Sequence, residues 1–116
     1  PMNLMDVKIT PTKITSPYFE MSLEPKHQKL LKNYIGKEIV FGIRPEDIHD
    51  QGDIPFKVRI NENLGQTTLV HGYLQNKRIV CKLKRWANYK PDDIVNVGFN
   101  LDKIHFFDKE TTRAIR

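Results

Sequence analysis

Residues 68–84, TLVHGYLQNKRIVCKLK, carry the pattern that decides the fold. Apolar or small side chains occupy every second position on both sides of the polar triplet Gln75–Lys77. A period of two predicts two strands, each with one face toward a core, and the triplet predicts the turn that joins them. The inward positions are Thr68, Val70, Gly72 and Leu74 before the turn, and Ile79, Cys81 and Leu83 after it.

The same alternation extends from this hairpin in both directions. Phe56, Val58 and Ile60 predict a preceding strand, and a bend at Asn63–Gln66 joins it to the hairpin, because Gly65 can adopt a positive φ angle. Other strands are predicted at 2–10, 18–23, 39–44, 94–99 and 104–107, with connections at 11–17 and 50–53. Many short strands separated by turns predict a small antiparallel barrel with an additional sheet.

One helix is predicted between these strands, at Pro25–Ile35. Pro25 suits the first helical turn, and Gly36 suits the position just after the end. A helix of about three turns is unstable alone, so its apolar face must dock on a sheet. The residues of that face are His27, Leu30, Leu31 and Tyr34.

The composition agrees with a strand-rich chain and limits its class. The 116 residues are the size of one domain and include 12 Ile, 7 Val and 7 Thr against 2 Ala. The single cysteine excludes a disulfide framework and a cysteine-built zinc site. The net charge is +5, and no apolar run reaches the length of a membrane span, so the sequence predicts a moderately basic intracellular domain.

Residues able to carry catalysis are few. Ser16 and Ser22 are the two serines, and neither lies in the glycine frame of a nucleophile elbow. Cys81 falls on the apolar side of its strand, which predicts a buried thiol. The four histidines share no metal-ligand spacing, and the sequence contains no glycine-rich phosphate loop. No catalytic, cofactor or metal site is therefore predicted in this chain.

The charge pattern suggests one binding function. Residues 63–91 contain no acidic side chain, and basic and aromatic residues are interleaved there. A basic strand with nearby aromatic side chains is typical of single-stranded nucleic-acid binders, and a solvated strand face that discourages edge pairing gives the same pattern. The candidate basic patch consists of Arg78, Lys82, Lys84, Arg85 and Trp86.

The stretch Gly42–Ile48, GIRPEDI, resembles a motif of a known family. It is similar to part of the C-terminal regulatory domain, the transport-associated OB-like (TOBE) domain, of the ATP-binding subunits of maltose-type ABC sugar importers. Further segments of that domain are resembled, in the same order, by residues 1–4, 34–37, 62–65 followed by 68–70, 89–93 followed by 98–100, and 104–111. Asp92 and Thr112 stand where the family often has glycine. Aspartate tolerates a left-handed turn, whereas the β-branched Thr112 predicts a different turn type.

The resemblance implies an all-β fold, an OB-like small antiparallel barrel with an additional small sheet and one short helix. It implies that residues 1–116 form a single regulatory domain of a longer ABC ATPase, whose absent nucleotide-binding domain would hold ATP and Mg. This chain would itself be non-catalytic and without a cofactor. The implied partners are a second copy of the subunit, the membrane permease and a regulatory protein, at the cytoplasmic face of the cell membrane.

Candidate interface residues come from the same motifs. A proline follows Arg44 and holds it extended beside Glu46, which fits an ion pair better than a substrate pocket. The complete set of candidate regulatory or interface residues is Arg44, Glu46, Glu62, Leu64 and Phe107. One alternative is a free-standing OB-like domain that binds single-stranded nucleic acid through the basic 77–90 segment. The other, ranked last because no clustered binding loop is present, is small-anion binding.

Overall fold

The computed structural model describes residues 1–84 and 88–116, and strands dominate that part of the chain. The strands are β1 (Asn3–Ile9), β2 (Lys13–Thr15), β3 (Glu20–Ser22), β4 (Glu38–Ile43), β5 (Ile48–Asn63), β6 (Thr67–Leu74), β7 (Lys77–Lys84), β8 (Ile94–Phe99) and β9 (His105–Phe107). The described helices are α1 (Pro25–Leu30) and 3-10 turns at Lys32–Tyr34, Pro45–Asp47 and Leu101–Lys103. The predicted all-β class with one short helix is confirmed.

The strands form two sheets, and the described residues form two compact units. One sheet has the strand order β3-β2-β1-β4-β9, and the other has the order β7-β6-β5-β8. The unit that contains the second sheet, called here the four-stranded unit, comprises Pro1–Asn3 and Ile43–Ile104. The five-stranded unit comprises Leu4–Gly42 and His105–Arg116.

The five-stranded unit has its core on one face of β1 and β4. The buried side chains of β1 alternate with exposed ones, as the strand period requires. Phe41 of β4 is fully buried, and its ring contacts those of Phe19 and Phe106 edge to face, with centroids 5.0 and 6.0 Å apart. Such aromatic pairs add roughly 0.5–1.5 kcal/mol each beyond burial, so this cluster contributes to the stability of the unit.

Two predictions for the five-stranded unit were wrong. The predicted loop at 11–17 contains β2, whose buried Ile14 pairs with Met21 of β3. The predicted helix ends at Leu30, because Leu31 (φ −101°, ψ 9°) leaves α-helical geometry and the chain tightens into a 3-10 turn. Leu31 is fully buried at this change of geometry.

In the four-stranded unit, β6 and β7 form the hairpin that residues 68–84 predict. Their register pairs Val70 with Cys81 and Leu74 with Lys77. Gln75 begins the two-residue loop with a φ of 55°, the left-handed conformation that short hairpin loops favour. The inward residues of both strands are buried, so the predicted alternation is confirmed.

A β-bulge in β5 changes the face on which its residues lie. Val58 pairs with Gly72 and Ile60 pairs with His71, so Arg59 is one extra residue on β5. A bulge of this kind reorients the residues around it. Simple alternation would bury Ile60 beside Val58, but Ile60 lies at the surface with 56% of its area exposed.

The predicted turn at 50–53 lies inside β5 instead of connecting two strands. His49 pairs with Gly98 of β8, and the next paired residue of β5 is Ile54, which pairs with Val97. Residues 50–53 therefore have no partner in β8 and form an irregularity in β5. Gly52 permits this path, because a Cβ atom there would lie 2.1 Å from the carbonyl oxygen of Val97.

Asn3 is bonded to the edge strand of the four-stranded sheet. Its side-chain Nδ2 donates to the carbonyl oxygen of Val80 at 2.9 Å, and its Oδ1 accepts from the amide of Val80 at 2.9 Å. These are the two backbone groups that a neighbouring strand would otherwise bond. Asn3 therefore caps β7 at its midpoint.

Two residues that replace the family's glycines both have left-handed backbones. Asp92 has a φ of 74°, in agreement with the tolerance of aspartate for this conformation. Thr112 has a φ of 63°, so the prediction of a different turn type was wrong. The Thr112 amide donates to the carbonyl of Asp108 and the Asp108 amide donates to the carbonyl of Arg113, both at 2.8 Å, and these bonds hold the turn.

Candidate interaction surface

The solvent-facing side of the four-stranded sheet, called here the outer face, carries three of the predicted site residues, Glu62, Arg78 and Lys82. Its cross-strand pairs are Leu69–Lys82, His71–Val80 and Tyr73–Arg78. All six side chains are half-buried or exposed. Strand β5 adds Ile60 opposite His71 and Glu62 opposite Leu69. The outer face therefore presents apolar, aromatic and basic side chains in adjacent rows.

One cleft of the four-stranded unit, called here the apolar cleft, has a volume of about 380 Å³. Leu64, Leu69 and Val80 supply its apolar wall, and 54% of the Leu64 surface is exposed. Glu46 and Lys82 supply a negative and a positive charge to the same cleft, and both are exposed. The structure thus brings together Glu46, Leu64 and Lys82, which the sequence assigned to two separate candidate sites.

A second cleft, called here the bulge cleft, lies at the irregularity in β5 and has a volume of about 330 Å³. Arg59 and Arg78 line it together with Tyr73, Ile60 and other outer-face residues. Arg59 was not among the predicted site residues. A bulge is defined by pairing between strands, so no signal within residues 56–63 alone could have placed this arginine beside Arg78.

The remaining interface candidates are not among the residues that line the apolar cleft. Glu62 lines the bulge cleft, where its Oε1 is 3.4 Å from Nε2 of His71. Arg44 is exposed and directly precedes the Pro45–Asp47 turn. Phe107 belongs to β9 of the five-stranded unit, where it is half-buried and its ring stacks on that of His105 at 6.4 Å between centroids.

The predicted basic patch is distributed between the two clefts. Arg78 lines the bulge cleft and Lys82 lines the apolar cleft. Lys84 ends β7 opposite Thr67. Arg85 and Trp86 lie outside the described residues. Arg78 and Lys82 therefore line different clefts, and each cleft also contains a glutamate.

Cys81 has neither the exposure nor the ionisation of a nucleophile. Its side chain is fully buried, and this burial raises the pKa of the thiol to about 12. The thiolate is the reactive form, so Cys81 is inert near neutral pH. Within residues 1–84 and 88–116, no three His, Cys, Asp or Glu side chains are grouped so as to hold a metal ion. The described helices are also too short and polar for any of them to cross a bilayer.

A polar network stands on the surface of the five-stranded unit. The Tyr34 hydroxyl donates to Oδ2 of Asp108 at 3.0 Å, and Lys109 bonds to both Glu38 and Asp6. The Asp108 pKa is lowered mainly by the backbone amide of Thr111 and next by the Tyr34 hydroxyl. The hydrogen bond to Asp108 raises the pKa of Tyr34, and the bond to Glu38 raises that of Lys109. The charged and polar groups of this network are therefore paired with one another within the five-stranded unit.

Comparisons with known proteins support the resemblance in the sequence. Residues 1–48 match the family described as the MalK OB fold domain. The chain is 32% identical to the oligosaccharides import ATP-binding protein MsmX of Bacillus subtilis and 34% identical to the trehalose/maltose import ATP-binding protein MalK of Thermococcus litoralis. It is 30% identical to the multiple sugar-binding transport ATP-binding protein MsmK of Streptococcus mutans.

Each of these three alignments covers 99% of this chain and 34% of the relative. The chain therefore spans about a third of the length of the curated relatives that it matches. The strand-rich fold, the family match and the three alignments agree with one another. Over nearly its whole length the chain is similar to about a third of these sugar-import ATP-binding proteins, and its first 48 residues are similar to the MalK OB fold domain.

Proposed function

We propose that this chain is a non-catalytic regulatory and dimerisation domain of the ATP-binding subunit of an ABC importer for sugars or related solutes. Residues 1–116 would form one functional domain of a longer protein. A separate domain of that protein would bind ATP and Mg. The longer subunit would form a homodimer, contact a membrane permease at the cytoplasmic face of the membrane and receive a regulatory protein.

The exposed apolar wall of the apolar cleft carries this proposal. Leu64 keeps more than half of its surface exposed, and it lies beside Leu69 and Val80. Removing apolar surface from water stabilises an association by roughly 25 cal/mol per Å². A second protein surface that covered Leu64 would gain that energy.

The charges at the same cleft favour a second copy of this chain as the occupant. In a twofold interface the same surface of each copy meets, so that if one residue contacts a second residue across the interface, the reverse contact also forms. Glu46 and Lys82 have opposite charges and lie in one cleft. In a symmetric pair, Glu46 of one copy can face Lys82 of the other, and the reverse contact forms at the same time.

The proposal is tested by the association state of the chain. Sedimentation equilibrium of the purified protein should show a reversible monomer–dimer mixture, and Leu64→Asp should shift it to monomer. Leu4→Asp is the matched control, because Leu4 is also exposed, by 49%, but lies in the five-stranded unit. Leu64→Asp should leave the melting temperature within a few degrees of wild type, since exposed substitutions change stability by about 0.5 kcal/mol or less.

Charge reversal separates this interface from nonspecific apolar association. Glu46→Lys and Lys82→Glu should each weaken dimerisation, and the double variant should restore part of it. Dimerisation that is equally sensitive to Leu4→Asp, or that ignores all three changes in the apolar cleft, would contradict the proposed interface. Purified chain should also hydrolyse no ATP, and hydrolysis that follows the protein through every purification step would contradict the non-catalytic assignment.

A further inference from the structure

We propose that the bulge cleft binds a small phosphate monoester, with Arg59 and Arg78 as the two phosphate-binding residues. The proposal rests on the outer face of the four-stranded unit and does not depend on the dimerisation function. Binding is measured on the chain itself, so failure of one proposal leaves the other intact.

The bulge creates the site by placing two arginines from different strands in one cleft. Tyr73 of β6 pairs directly with Arg78 of β7. The extra residue Arg59 of β5 falls beside the His71–Gly72 segment of the same middle strand, and all these residues line the cleft. The two arginines therefore line one cleft from the strands on either side of β6.

The side chains of the two arginines are not held by other described side chains. Neither Arg59 nor Arg78 forms a salt bridge or a side-chain hydrogen bond with another described residue. The carboxylate in the cleft, Glu62, is 3.4 Å from Nε2 of His71. Two exposed guanidinium groups, each with a planar fork of donors, match the oxygens of a phosphate dianion.

The rest of the cleft fits a small organic group attached to the phosphate. Its volume of about 330 Å³ lies within the range of small-ligand sites and exceeds what a lone phosphate needs. Ile60 and the ring of Tyr73 provide apolar contact surface, and Ile60 is exposed only because the bulge turns it outward. The Tyr73 hydroxyl adds a neutral hydrogen-bonding group. These features describe a compact, partly polar ester such as a hexose phosphate.

The charge distribution favours this ligand over a nucleic acid. A nucleic-acid strand requires a continuous basic track that follows many phosphates. On the outer face, the carboxylate of Glu62 follows Arg59 along β5, and Lys82 lies in the other cleft with Glu46. Two arginines that line one cleft suit a single phosphate better than a chain of phosphates.

The test is a titration of the chain, followed by two-dimensional amide NMR. The probes are inorganic phosphate, glucose 6-phosphate, glucose and a single-stranded thymidine oligonucleotide. Glucose 6-phosphate should give saturable shifts at Arg59, Tyr73 and Arg78, inorganic phosphate should bind more weakly, and glucose should not bind. Arg59→Gln and Arg78→Gln should each weaken binding by about 10-fold or more, as expected for loss of a charge-assisted hydrogen bond.

Arg113→Gln is the matched control, because Arg113 is exposed and lies in the five-stranded unit. It should leave the affinity unchanged. Equal weakening by Arg113→Gln, or no saturable shift with glucose 6-phosphate at millimolar concentration, would overturn the site. Tighter binding of the oligonucleotide than of glucose 6-phosphate would also overturn it, in favour of a nucleic-acid surface. Circular dichroism of each variant confirms that a lost signal reflects binding and not unfolding.

Discussion

Replacement of Gly72 by alanine should strongly destabilise the four-stranded unit. Gly72 is buried in the middle of β6 and pairs with Val58 of β5. A Cβ atom at this position would lie 2.1 Å from the carbonyl oxygen of Lys57 and 2.7 Å from Cζ of Phe56. The first contact is with backbone, so side-chain rotation cannot relieve it, and β5 must move away from β6.

The expected magnitude follows from this contact. Overpacking a well-filled interior costs about 1–3 kcal/mol, and a clash with backbone belongs at the upper end of that range. For a domain of this size, 1 kcal/mol corresponds to roughly 4–8 °C in melting temperature, so Gly72→Ala should melt about 10–20 °C below wild type. The protein should still fold at room temperature, because typical domains have about 5–15 kcal/mol of stability.

Thermal unfolding followed by circular dichroism measures this effect, and Gly98→Ala is the matched control. Gly98 lies in β8 of the same sheet, where the nearest atom to an added Cβ is Cε1 of His49 at 2.6 Å. The exposed His49 ring can move at the loss of the hydrogen bond that its Nδ1 accepts from the Gln51 amide, and the one backbone contact, with Cα of Gly52, is longer at 3.3 Å. This variant should therefore cost about 1–2 kcal/mol, less than Gly72→Ala. If Gly72→Ala melted together with Gly98→Ala, the reasoning from backbone contact would be refuted.

Two further predictions concern the C-terminal turn. Asp108→Asn should destabilise the protein at neutral pH, and its deficit should shrink below about pH 4, because a lowered carboxyl pKa adds stability that is lost as the pH falls through it. Urea unfolding at neutral and acidic pH measures this, and a deficit that is constant with pH would contradict it. Thr112→Gly should raise the melting temperature by a few degrees, since a left-handed backbone costs a non-glycine residue roughly 1–2 kcal/mol. A lower melting temperature would show that the lost Thr112 hydroxyl bond to the carbonyl of Thr111 outweighs the relief of strain.

The hairpin of β6 and β7 could be predicted from the sequence because the two strands and the loop that joins them are adjacent in the chain. Each inward residue alternates with an outward one, and the loop at Gln75 follows at once. The GIRPEDI segment was predictable for the same reason, since Pro45 ends β4 and begins a 3-10 turn. The strand β2 was missed because three residues are too few to show a period.

The bulge cleft could not be predicted, because it depends on pairing between strands. Ile60 continues the apolar alternation of β5 in the sequence, yet the extra residue Arg59 reverses its orientation. The shared position of Glu46, Leu64 and Lys82 likewise results from the way three separate segments meet. Arg44 and Phe107, which the sequence grouped as one candidate set, belong to different units.

The cap formed by Asn3 has a consequence for solubility. An edge strand with open amide and carbonyl groups can recruit another strand and begin a growing aggregate. By occupying both backbone groups of Val80, the Asn3 amide removes the central docking point of β7 without adding a strand that would itself have an open edge. The Asn3 side chain therefore opposes edge-to-edge strand pairing at β7. The exposed Arg78 and Lys82 on either side of Val80 oppose the same pairing, because they would meet like charges on a second β7 edge.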